Sequence, residues 1–160
     1  MATVRTDLGC RLVALLAAWV SMVFGSSAPI AWFGFSRSAG TRASGLAHLP
    51  VATWEVSDAV GPAAKLLLIG VFAALVLSGE RLSTGRPGYT YVRNAALGVT
   101  AMLLTLGVVP ESLSRGFGVG LTGERYDFAV VPVYVLGGML GGFAYTFSVT
   151  RCRRRISALA

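Results

Sequence analysis

The apolar residues of this chain gather into four solid runs separated by polar stretches, at about residues 12–31, 62–78, 92–109 and 128–149. None of the runs carries an acid or a base at its centre. A solid run of this kind forms its backbone hydrogen bonds within itself. At roughly 20 residues it crosses a bilayer whose hydrocarbon core is about 30 Å thick. A membrane β-barrel would instead show alternating segments of about ten residues. The pattern therefore predicts an all-α fold. Residues 1–160 form one integral membrane domain, a bundle of four transmembrane helices with a long extracytoplasmic loop between the first two.

The ends of the runs agree with this reading. Pro62 opens the second, where its missing N–H would have no helical partner anyway. Pro110 closes the third, which is short and borrows Tyr91 or Val92, and the arginines from Arg151 to Arg155 stop the fourth. The first run also resembles a signal peptide: Arg5 and Arg11, a short apolar core, then small residues. Cleavage after Ala28 or Ala31 would place Pro29 unfavourably beside the cut, so the run is read as a retained span. Leu8-Gly9-Cys10 resembles a lipobox but follows no apolar run. Residues 25–61 form the longest polar stretch, broken by Pro29, Gly34, Gly40, Gly45 and Pro50. Trp32, Phe33 and Phe35 at its start and Trp54 near its end suit an interfacial belt, and part of it is expected to lie flat as a short interfacial helix.

Composition narrows the class. Charged residues are 13% of the chain and hydrophobic ones 54%, against about 25% charge in an ordinary soluble domain. A soluble enzyme and a disordered chain are both excluded on that balance. The net charge of +7 would suggest nucleic acid in a soluble protein. Here the bases flank apolar spans, so no nucleic-acid partner is expected. Arg5, Arg11, Arg81, Arg86, Arg93, Arg151, Arg153, Arg154 and Arg155 fall on one side of a four-span chain. Arg37, Arg42, Lys65, Arg115 and Arg125 fall on the other. The positive-inside rule makes the first side cytoplasmic and places both termini there. The preference for Arg over Lys fits a GC-rich genome and a bacterial cell membrane. Cys10 and Cys152 then face a reducing compartment, so no structural disulfide is expected.

Four features carry candidate chemistry. In the fourth span Gly137 with Gly141, and Gly138 with Gly142, make two overlapping GxxxG pairs, which let another helix approach closely. That helix belongs either to this chain or to a larger membrane protein or second copy docked through the fourth span. Gly118 to Gly123 match GxGxxG, but with no strand before them they read as a flexible turn. The acids Glu55, Asp58, Glu111 and Asp127 gather at the extracytoplasmic mouth. Carboxyls desolvated there would suit acid/base work, while helix-flanking or ion-paired loop charge is the plainer account. Glu111 is the first candidate because it follows a helix-breaking proline, and Asp127 the second because it meets the fourth span. His48 is the only histidine; alone it builds neither a haem site nor a zinc site. No Walker A, HExxH, GxSxG or CxxC motif occurs, and no metal or cofactor is implied.

The leading expectation is a small integral membrane accessory or assembly subunit, with the lipid bilayer and a larger membrane protein as its partners. The alternative is a small membrane-embedded enzyme. It would cyclise or isomerise an isoprenoid, quinone or other lipid at the extracytoplasmic mouth, using Glu111, Asp127, Glu55 and Asp58. A transporter component acting with a larger partner is a third reading. A stand-alone pump is disfavoured, because proton and ion pathways place ionisable groups inside spans.

Overall fold

The computed structural model describes residues 2–33, 46–80, 87–108 and 130–158. They form five helices: α1 (Ala2–Phe33), α2 (Leu49–Ala59), α3 (Pro62–Glu80), α4 (Pro87–Val108) and α5 (Val131–Ser157). No strand occurs among the described residues. Four of the helices, all but α2, are long and apolar enough to cross a membrane. They correspond to the four apolar runs, with different ends. At 32 residues α1 is about 48 Å long, well beyond a hydrocarbon core of about 30 Å. Its first turns therefore project from the bilayer, where Asp7 accepts a hydrogen bond from Arg11 four residues on, at 2.9 Å. The 27 residues of α5 overshoot similarly and end in the arginine-rich turns.

Inside the polar stretch, α2 is an 11-residue helix, about 16 Å long and too short to cross. Pro50 lies in its first turn. Ala52, Thr53, Val56 and Ser57 are buried and repeat at helical spacing, so one face packs inward. Trp54 stacks on Phe24 of α1, with ring centroids 6.2 Å apart. Gly61, at φ 80°, takes the left-handed conformation that lets α3 start immediately after α2.

α5 lies between α1 and α4 and packs along both. Gly137 lies against Ser26 and Met22 of α1, and Gly141 against Met22 and Ala18. Residue numbers rise on one helix as they fall on the other, so the pair is antiparallel. The same holds for α4, where Gly98 faces Gly138 and Asn94 faces Gly142. α3 runs beside α4, with Gly79 close to Leu97 and Arg93. It is tied to α1 by a hydrogen bond from Trp19 Nε1 to the Lys65 carbonyl, 3.0 Å. The helices thus alternate in direction. The start of α1, the end of α3, the start of α4 and the end of α5 share one side of the bundle.

The bundle is built with small residues inside and large apolar ones outside. Ala14, Ala18 and Ala101 are fully buried, whereas Leu12, Val13, Leu16, Leu66, Val92 and Phe147 are each more than half exposed. In water such a surface would drive aggregation. In lipid it is the expected surface: acyl chains solvate Leu as well as another helix does, and close packing of small residues holds the helices together.

One expectation is corrected. Cys10 and Cys152 form a disulfide, with Cα atoms 5.7 Å apart. The prediction of two separate thiols rested on compartment alone and took no account of register. The antiparallel pairing of α1 and α5 that sets Gly141 beside Ala18 also brings residue 152 to residue 10, within the distance a disulfide requires. Beside the bridge, Arg153 binds Asp7 at 2.7 Å, so the projecting ends of α1 and α5 are joined twice.

Candidate functional site

Two of the four candidate acids, Glu111 and Asp127, lie outside the described residues, as does the GxGxxG turn. Glu55 and Asp58 share a face of α2, as their spacing of three requires, and that face is exposed. His48 sits at the N-cap of α2, also exposed, and makes no side-chain capping bond. These three residues do not converge on an enclosed space. Among the described residues no cluster of three His, Cys, Asp or Glu could hold a metal ion.

A partly open hollow does exist nearby, and other residues line it. Val23, Ser26 and Ser27 of α1, Ala64, Lys65 and Leu68 of α3, Met102, Thr105 and Leu106 of α4, and Tyr134 of α5 surround a cavity of about 30 Å³. A water needs about 10–15 Å³ by this kind of measure. One or two waters fit. Three of the wall hydroxyls are held by their own helices. Ser26 Oγ donates to the Met22 carbonyl at 2.8 Å, Ser27 Oγ to Val23 at 2.7 Å and Thr105 Oγ1 to Ala101 at 2.8 Å. A hydroxyl that donates back to its own helix can lie in an apolar interior without a desolvation penalty.

The glycine strip is two-sided. Gly137 and Gly141 receive α1, and Gly138 and Gly142 receive α4. A methyl on Gly138 would sit 2.7 Å from the Gly98 carbonyl oxygen. One on Gly142 would overlap the backbone of Asn94. Both GxxxG pairs are thus occupied within the chain.

The richest polar cluster lies at the opposite end of the bundle from the cavity. Arg93 Nη1 donates to the Gly79 carbonyl at the end of α3, 3.0 Å away, and its Nε and Nη2 donate to Asn94 Oδ1. Asn94, 2% exposed, donates from Nδ2 to Thr146 Oγ1 of α5 at 3.0 Å, and Thr146 passes its own hydrogen to the Gly142 carbonyl. One side-chain chain therefore links α3, α4 and α5, and every member is satisfied, as buried polar networks require. Sequence reasoning missed it. Asn94 falls at the start of the third run, next to a basic residue; only the close approach of α4 to α5 buries it. The small-residue stripe Cys10, Ala14 and Ala18 on α1, which answers the glycines, was legible as a four-residue repeat and went unread.

These features define a multi-pass integral membrane protein with an all-helical bundle. Comparison with family models, curated proteins and solved structures found no match.

Proposed function

We propose that the protein is a small integral membrane accessory or assembly subunit that packs, through its helices, with a larger membrane partner. The observation that supports this most directly is the chemistry of the interior. Among the described residues every buried polar side chain is neutral: Ser26, Ser27, Thr53, Ser57, Asn94, Thr105 and Thr146. A transport path or an acid/base site needs ionisable groups where substrate can reach them. Among the described residues the charged side chains of the four long helices lie toward the helix ends, Lys65 among them at the start of α3, and the extensive outer surface is apolar. With α5's glycines committed to α1 and α4, the contact with the partner falls on the outer faces of α1, α3 or α4.

A photo-reactive amino acid placed at Leu16, Leu66 or Leu104 tests this in native membranes. All three are exposed, whereas Val76 is fully buried and serves as the control. One face is expected to give a discrete heavier adduct with another membrane protein, and Val76 none. Adducts with lipid alone from all three faces would refute the reading.

The excess of bases on the side that holds the start of α1 and the end of α5 supports a cytoplasmic location for that side. Reporter fusions after Gly85 and Ala160 should then report cytoplasm, and fusions after Gly45 and Gly120 the opposite compartment. A cytoplasmic signal after Gly45 reverses the orientation. In the cytoplasm a Cys10–Cys152 bridge is subject to cellular dithiols and is reversible rather than permanent.

A further inference from the structure

We propose that the outward face of α5 is a binding site for one anionic phospholipid. Its apolar tail would lie in a trough between α1 and α4, and its phosphate between Arg151 and Arg154. This site is independent of the face on which a protein partner docks.

The site is one continuous stripe. Leu140, Phe143, Ala144, Phe147, Arg151 and Arg154 recur every three or four residues, so they share a helix face. The first four line an open trough of about 560 Å³, bounded by Ser21 and Gly25 of α1 and by Tyr91 of α4. At Phe147 and Tyr91 the trough runs into a second hollow of about 320 Å³, lined by Thr150, Arg151 and Arg154. Leu140 lies over Gly25 at one side of the trough, where a methyl on that glycine would meet its Cδ1 at 3.1 Å. One wall is aromatic, with the rings of Tyr91 and Phe143 6.3 Å apart.

The dimensions suit an amphiphile in one leaflet. Leu140 to Phe147 covers about 10 Å of helix, within a half-bilayer of about 15 Å, and Arg154 lies about 10 Å further on, at headgroup depth. The charges are also arranged for an anion. Arg153 faces α1 and is occupied by Asp7 at 2.7 Å. Among the described residues Arg151 and Arg154 have no acidic partner, and no acid lines either hollow. The Arg151 guanidinium lies over the Phe147 ring, 5.8 Å from its centroid. That contact holds the charge at the junction of the apolar and basic parts. Two guanidiniums offer the donors that bind phosphate well, and basic hollows between transmembrane helices recognise anionic headgroups. A partner helix fits less well, since it would need an apolar face for both leaflets and acids at the level of the arginines. Free phosphate would use only the basic hollow.

The test uses the full chain in a mild non-ionic detergent, with native mass spectrometry counting retained molecules. The probes are phosphatidylglycerol, phosphatidylcholine with the same acyl chains, and inorganic phosphate. One phosphatidylglycerol per chain is expected, held about tenfold or more above phosphatidylcholine, from the attraction of two arginines at headgroup depth. The double variant R151Q/R154Q should erase that preference, and R155Q, outside the hollow, should keep it. Ala144→Trp fills the trough while leaving both arginines and should also release the lipid. Should Ala144→Trp fail to insert, the arginine pair decides alone, because it leaves the glycine contacts intact. Four results would overturn the proposal: equal binding of the two lipids; R155Q matching the double variant, which marks diffuse attraction to the tail; inorganic phosphate displacing the lipid at equal concentration; or the site found occupied by a protein helix.

Discussion

Gly138→Leu and Gly142→Leu should each abolish the bundle, whereas Gly141→Ala should be tolerated at modest cost. The difference follows from what each new side chain meets. A β-carbon on Gly138 or Gly142 falls on the backbone of α4, at Gly98 and Val99 or at Asn94 and Ala95. Backbone cannot move without separating the helices, and in a bilayer no hydrophobic force draws them together again. A β-carbon on Gly141 falls mainly on Met22 Cγ and Cε, so it requires a new rotamer of an unbranched side chain instead of a backbone shift. Overpacking costs about 1–3 kcal/mol where neighbours can shift and more where they cannot. The leucine variants therefore belong above that range and Gly141→Ala at its lower end. Met22→Ala should relieve Gly141→Ala and leave Gly142→Leu unrescued. Loss of helicity on titration with a denaturing detergent measures each effect. An unchanged midpoint for Gly142→Leu would mean that α4 does not pack on α5 as described.

The second large effect belongs to the bridge. The loop it closes separates its cysteines by 142 residues. The chain-entropy account sets the stabilisation from closing a loop of that length at about 5 kcal/mol in water. In a bilayer the figure is a ceiling, since inserted spans already confine the dissociated chain. Reduction of the purified wild-type protein should lower its denaturation midpoint clearly. Cys10→Ser/Cys152→Ser should show the lowered midpoint from the start and ignore reductant. The Asp7–Arg153 ion pair, with both side chains a third or more exposed, contributes little by itself and would not hide the loss. Two thiols titrating in protein purified in air, or a midpoint indifferent to reductant, would contradict the bridged structure.

The pattern of the chain and its structure agree where a local rule suffices. Solid apolar runs, prolines at helix starts and arginines at helix ends locate α1, α3, α4 and α5 from composition alone, because in lipid a backbone segment of that kind has little choice but helix. A short helix within the polar stretch was legible, though only its packing on α1 shows that Ala52, Thr53, Val56 and Ser57 form its buried face. Legibility fails where the outcome depends on register between distant segments. That Cys10 meets Cys152, that Asn94 reaches Thr146, and that two interleaved glycine pairs serve two different helices all follow from the placement of α5 between α1 and α4. The candidate acids show the converse. Spacing put Glu55 and Asp58 on one face of α2, but spacing is silent on whether that face looks inward.

The central place of α5 also bears on the order in which the protein is made. α5 is the last of these helices to leave the ribosome, yet α1 and α4 pack chiefly on it. Until it arrives, the alanine stripe of α1 and the glycine of α4 stand in the membrane as empty helix-width slots. A chain interrupted before residue 131 would hold three inserted spans and none of the contacts that α5 supplies. It would be an easy target for membrane quality control. Completion of the bundle therefore waits on α5, and the intact fold certifies that translation has passed it.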